Sequence, residues 1–134
     1  MKALKPLLLL LAATLLYTCA TVPLTGRKQL SLVGDAEINQ AAATSYTQLL
    51  SDPKTKVIST GTDAQRVKRI GGRLATAIES YLQQNGYGAQ YKFTWEFNLI
   101  QSNEVNAWCM PGGKVAVYSG ILPITANDLS LIHI

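Results

Sequence analysis

The sequence predicts an α+β domain behind a removable leader. Three observations carry this reading: two helical stretches early in the mature chain, an alternating aromatic run after them, and a Pro-Gly-Gly turn that leads into a short β-favouring run.

Lys2 and Lys5 precede an apolar run from Leu7 to Leu16, the charge-then-hydrophobe order of a secretory signal. Pro6 on one side and Tyr17-Thr18 on the other keep the run shorter than the roughly 20 apolar residues a spanning helix needs. Cys19 follows directly, with Leu16 three positions earlier, which is the layout of a lipobox whose cysteine is acylated and becomes the new N-terminus. Tyr17 and Thr18 depart from the small residues that motif prefers, so ordinary cleavage nearby and an uncleaved anchor stay open beside lipidation. A lipid on Cys19 leaves Cys109 as the remaining thiol. A Cys19–Cys109 disulfide is the weaker reading, because one partner sits at the processing site. The formal charge of +4 includes Lys2 and Lys5, and removing the leader leaves +2, which gives no basis for a nucleic-acid partner.

Residues 19–34 carry Pro23, Gly26 and Arg27-Lys28 with no sustained period, and read as the lipid attachment site and a tether. Asp35 caps a helix that runs to about Leu50, with Glu37 in its first turn and Ser51-Asp52-Pro53 at its end. A second helix starts at Thr62 or Asp63 and ends near Asn85-Gly86. Val67, Ile70, Leu74, Ile78 and Leu82 lie on one stripe of it at spacings of three and four. Arg66, Lys68, Arg69 and Arg73 lie off that stripe. They read as a solvated helix face, with a basic patch for anionic lipid or nucleic acid as the sharper alternative. From Lys92 to Ile100 the residues alternate, Phe93, Trp95, Phe97 and Leu99 facing one way, which predicts a strand with one buried side. A second strand is expected from Lys114 to Tyr118, entered through the tight turn Pro111-Gly112-Gly113 and left through Ser119-Gly120.

No catalytic constellation can be built from these residues. His133 is the sole histidine, and a zinc site needs three or four convergent His, Cys, Asp or Glu side chains. Cys109 has no histidine near it in sequence and reads more simply as a small hydrophobe than as a nucleophile. Gly112-Gly113 lacks the surroundings of a phosphate loop.

The run Asn106-Ala-Trp-Cys-Met-Pro-Gly-Gly-Lys-Val-Ala-Val-Tyr-Ser-Gly-Ile-Leu122 resembles the segment Asn-Ala-x-x-x-Pro-Gly-Gly-x-x-x-Val-x-x-Gly-Leu-Leu of the HtpX-like and Oma-like zinc metallopeptidases, family forty-eight of the metallopeptidases. Val22 to Leu30, Arg66 to Gly71 and Trp95 to Leu99 are similar to stretches of its exported lipoprotein members, in the same order. The resemblance implies an α+β fold of the zincin type, N-terminal helices plus a small β-sheet, acting as a zinc metalloendopeptidase on protein or peptide substrates. In that family the next helix carries H-E-x-x-H, whose histidines bind zinc and whose glutamate activates water, with a further glutamate as ligand. This chain follows the pattern to Asn127-Asp128 and then reads Leu129-Ser130-Leu131-Ile132-His133-Ile134. His133 does not match the first zinc histidine, since neither the glutamate nor the second histidine follows it.

Residues 35–134 are therefore expected to be the N-terminal part of a peptidase domain truncated before the zinc-binding helix, with 129–134 not native sequence. No catalytic or metal residue is assigned, and Zn2+ belongs to the full-length parent rather than to this fragment. The resemblance places Lys114, Val115, Ala116, Val117 and Tyr118 beside the cleft as an edge strand, with Asn106 orienting the wall or the turn and Pro111, Gly112 and Gly113 letting the backbone come close. A plain hairpin turn with no substrate contact is the simpler reading. Trp108 and Met110 are assigned to packing, and Tyr118 has no named partner. The expected location is the cell envelope, held to a membrane through the lipid. The rival is a complete small envelope lipoprotein that binds or scaffolds, which predicts a self-sufficient core. The peptidase reading predicts an exposed apolar strand face at Phe93, Trp95, Phe97 and Leu99.

Overall fold

The computed structural model describes residues 19–22, 25–30 and 33–133; the leader and Ile134 lie outside the described residues. The chain divides into two compact units, Met1–Glu37 and Ile38–Ile134. Among the described residues no helix is long and apolar enough to cross a membrane.

In the first unit β1 (Cys19–Thr21) pairs antiparallel with β2 (Lys28–Leu30), in the register Cys19 to Leu30 and Thr21 to Lys28. The link between them closes where Val22 N–H donates to the Arg27 carbonyl at 2.8 Å. The stretch expected to be a tether contains this hairpin. Strands of three residues are too short to show a period of two, which is why none was legible.

Helix α1 (Asp35–Ser51) has Asp35 and Glu37 in its first turn, where carboxylates complement the positive helix end. It buries a single residue, Tyr46. After β3 (Val57–Ile58) comes α2 (Thr62–Gln84), with Gly61 as its N-cap. The far end of α2 closes with Tyr87 N–H on the Leu82 carbonyl at 2.8 Å and Gly86 N–H on the Gln83 carbonyl at 3.2 Å. This paired arrangement satisfies carbonyls that the last turn leaves open. The expected stripe faces inward at Val67, Ile70 and Leu82, while Leu74 is half-buried and Ile78 is exposed.

β4 (Glu96–Ile100), β5 (Ala107–Met110) and β6 (Lys114–Tyr118) complete a four-stranded mixed sheet in the order β3-β4-β6-β5. β4 runs parallel to β6, and both β3–β4 and β5–β6 are antiparallel. This is the α+β architecture the sequence predicts, with two differences. The strand expected from Lys92 begins only at Glu96, because its partner β6 begins at Lys114; before that point Thr94 and Glu96 donate instead to the turn carbonyls of Gly112 and Gly113, at 2.9 and 3.0 Å. Ala-Trp-Cys-Met was not expected as a strand, having no alternation to reveal it, and it forms the other arm of the hairpin.

Successive side chains leave a strand on opposite faces, so the sheet has two cores. Leu99 and Val117 pack with Ala64 and Val67 of α2 and with Ile121 and Leu122; Ile100 and Ala116 pack with Tyr46 of α1. Burying a leucine as fully as Leu99, 2% exposed, stabilises the fold by about 1.5–3 kcal/mol. At Gly71 the helix lies so close to the sheet that an added Cβ would stand 2.3 Å from the Phe97 ring, so only glycine permits this contact. A 3-10 turn, Ser119–Ile121, and a short helix α3, Asp128–Ile132, follow β6.

Candidate functional site

The motif from Asn106 to Leu122 forms one continuous substructure: β5, the turn at 111–113, β6 and the 3-10 turn. Gly112 and Gly113 both have positive φ, at 79° and 86°. A Cβ on Gly113 would come within 2.8 Å of the ring of Trp95, the residue just before β4, so the turn packs directly against the entry to that strand.

β6 is not the edge strand the resemblance implied. Its backbone is paired on both sides, by β4 and by β5, and the open edge on this side of the sheet is β5. Tyr118 N–H donates to the Asn106 carbonyl at 3.0 Å, which fixes the phase of the antiparallel ladder. By the alternation of such ladders, Trp108 and Met110 turn their main-chain groups toward β6, while those of Ala107 and Cys109 face outward. The candidate residues also divide between the two faces. Lys114, Ala116 and Tyr118 share the α1 side, and Val115 and Val117 the α2 side. Asn106 donates from Nδ2 to Glu104 at 2.9 Å, so its side chain braces the preceding loop and not the turn. Pro111 is exposed at the tip.

On the α1 face a polar chain runs through the sheet. Lys114 Nζ lies 3.2 Å from Glu96, Glu96 accepts from Asn98 Nδ2 at 2.9 Å, and Asn98 Nδ2 donates to the Tyr46 hydroxyl at 3.2 Å. That hydroxyl donates to the Val115 carbonyl at 2.5 Å. Burial pushes the Tyr46 hydroxyl above the ordinary tyrosine value, opposed by the hydrogen bond from Asn98. The Tyr46 ring meets Trp108 edge-on at 5.8 Å, and Trp108 Nε1 donates to the Tyr118 hydroxyl at 3.3 Å, supplying the partner that Tyr118 lacked in the sequence.

On the α2 face lies an apolar hollow of about 380 Å³, walled by Ile70 and Leu74 of α2, Trp95, Phe97 and Val115 of the sheet region, and Leu131 and Ile132 of α3. Cys109 stands on its rim, exposed at the strand edge with its sulfur partly sheltered. Burial pushes its thiol up, and its hydrogen bond is to the Met110 carbonyl at 3.4 Å, which is the setting of an unreactive cysteine rather than of a thiolate nucleophile.

The basic residues of α2 are less solvated than the sequence suggested. Arg66 Nε lies 3.1 Å and Arg69 Nη2 2.8 Å from the two carboxylate oxygens of Asp128, while Lys68 and Arg73 are exposed. Asn127 caps α3 by accepting from Ser130 N–H at 2.9 Å. His133 is exposed just past α3. Among the described residues no group of three or more His, Cys, Asp or Glu converges as a metal site, so the residues present do not fit a zinc ion.

Compared with known proteins, the chain matches the family model of Peptidase family M48 over residues 62–133, from the start of α2 through α3 and more than half of its 134 residues. No curated protein and no solved structure matches it.

Proposed function

Because the chain belongs to Peptidase family M48, a family of zinc-dependent metallopeptidases, we propose that it is the N-terminal part of a zinc metalloendopeptidase that hydrolyses peptide bonds in envelope or membrane-associated proteins. The observation that carries this reading is the family match across residues 62–133, which takes in the whole β5–turn–β6 substructure. In this reading the zinc ligands and the catalytic glutamate belong to sequence beyond the present residues.

The part this chain contributes is the substrate wall. The outward N–H and C=O groups of Ala107 and Cys109 offer an extended peptide a strand to pair with, and main-chain pairing of this kind binds without reading side chains. The turn at 111–113, locked against Trp95, holds that edge in place. The leader and Cys19 support export and attachment to an envelope membrane by a lipid.

The test is peptide hydrolysis by the product of this gene expressed in its natural extent. Cleavage of an unstructured peptide that a chelator abolishes and zinc restores supports the reading. A folded product with no such cleavage contradicts it.

A further inference from the structure

We infer that Arg66 and Arg69 are positioning residues that fix where the chain leaves the sheet for the segment beginning at Asp128. Three bonds converge there from one turn of α2. Arg66 Nε reaches one carboxylate oxygen of Asp128 at 3.1 Å, Arg69 Nη2 reaches the other at 2.8 Å, and Arg66 Nη2 donates to the Thr125 carbonyl at 2.7 Å. Thr125 is itself buried, with its hydroxyl on the Ile121 and Leu122 carbonyls at 3.2 and 3.3 Å. The segment is therefore held at two points, a buried carbonyl and a helix-start carboxylate, and the spacing between them suits a guanidinium, which donates from a rigid fork. Arginine is needed at position 66, where one side chain serves both points. Position 69 serves one, and its side chain is largely exposed.

The positioning is a property of this chain. Its catalytic meaning rests on the peptidase reading above, in which the helix entered at Asp128 is the one that bears the zinc ligands. An arginine pair on α2 would then set the distance between that helix and the β5 edge without touching substrate.

The experiment is amide hydrogen exchange on this chain, comparing wild type with Arg66→Ala, Arg66→Lys and Arg69→Lys. Arg66→Ala is expected to lower protection of the amides of Ile124, Thr125 and Leu131 by roughly tenfold, leaving those of Phe97 to Ile100 unchanged. Arg66→Lys should reproduce most of that loss, because an ammonium cannot span both acceptors, whereas Arg69→Lys should keep near wild-type protection. Should Arg66→Ala lose protection in the sheet as well, it has unfolded globally, and the contrast between the two lysine variants decides. Equal behaviour of the two lysine variants, or unchanged protection in Arg66→Ala, overturns the inference. Exchange reports the clamp whether or not the gene encodes a zinc helix, so failure of the clamp and failure of the peptidase reading are read separately.

Discussion

Gly113 combines a φ of 86° with a Trp95 ring 2.8 Å from where a Cβ would stand, so it meets two separate penalties when substituted. Gly113→Ala is expected to destabilise the chain by about 1–3 kcal/mol, seen as a lower urea midpoint; an unchanged midpoint contradicts the packing described here. The Pro-Gly-Gly turn was legible because two consecutive glycines announce a backbone that other residues avoid. Tyr46 was not legible, because α1 buries one residue and so gives no stripe to read. Its hydroxyl is held neutral by burial, so the folded state titrates above the ordinary value of 10.0. The sign follows: the contribution is fully present below that value and is lost as pH rises through the raised one. Ultraviolet titration of tyrosinate should show a late-ionising tyrosine that disappears in Tyr46→Phe, a variant expected to cost about 0.5–1.5 kcal/mol. A Tyr46 hydroxyl that ionises at or below the ordinary value would contradict it.

Among the elements, α1, α2 and β6 were readable because each is announced by caps, a helical stripe or bounding turn residues. β5 and the β1–β2 hairpin were not, since strands of three or four residues carry too little alternation and are made by their partners. The order of strands was beyond reach for the same reason. The β4–β6 pairing joins residues eighteen apart, Glu96 to Lys114, and it converts the expected edge strand into an interior one. The Arg66–Asp128 pair spans 62 residues, which makes a solvated helix face the natural reading from sequence. Arg69 first and Arg66 second hold the Asp128 carboxyl below its ordinary value of 3.8. Its contribution is therefore present above 3.8 and lost as pH falls through the lower folded value. Amide chemical shifts of Leu129 to Ile132 should titrate below 3.8, and in Arg66→Ala with Arg69→Ala that titration should move up toward it. A wild-type titration at or above 3.8 would rule out the pairing.

At the scale of the whole molecule, the exposed strand face expected from the sequence is not found: none of Phe93, Trp95, Phe97 and Leu99 is exposed, and the first three are half-buried. Leu99 is buried in the core, but Trp95 and Phe97 line the 380 Å³ hollow, and the rings of Tyr91, Phe93, Trp95 and Phe97 stack in series with centroids 4.6–6.4 Å apart. An apolar hollow beside a four-stranded sheet loses the contacts that make unfolding cooperative. The mature chain is expected to bind a hydrophobic dye and to melt over a broad range, and a sharp two-state transition without dye binding would show a self-sufficient core. Family membership was legible from Asn106 to Leu122, because that stretch is both a motif and a folded unit. The central claim, that this chain is the front of a zinc peptidase, turns on one junction. Long-read sequencing of the source DNA across the codons for Asn127 to Ile134 should show the frame continuing into H-E-x-x-H, and a stop codon directly after Ile134 would contradict it.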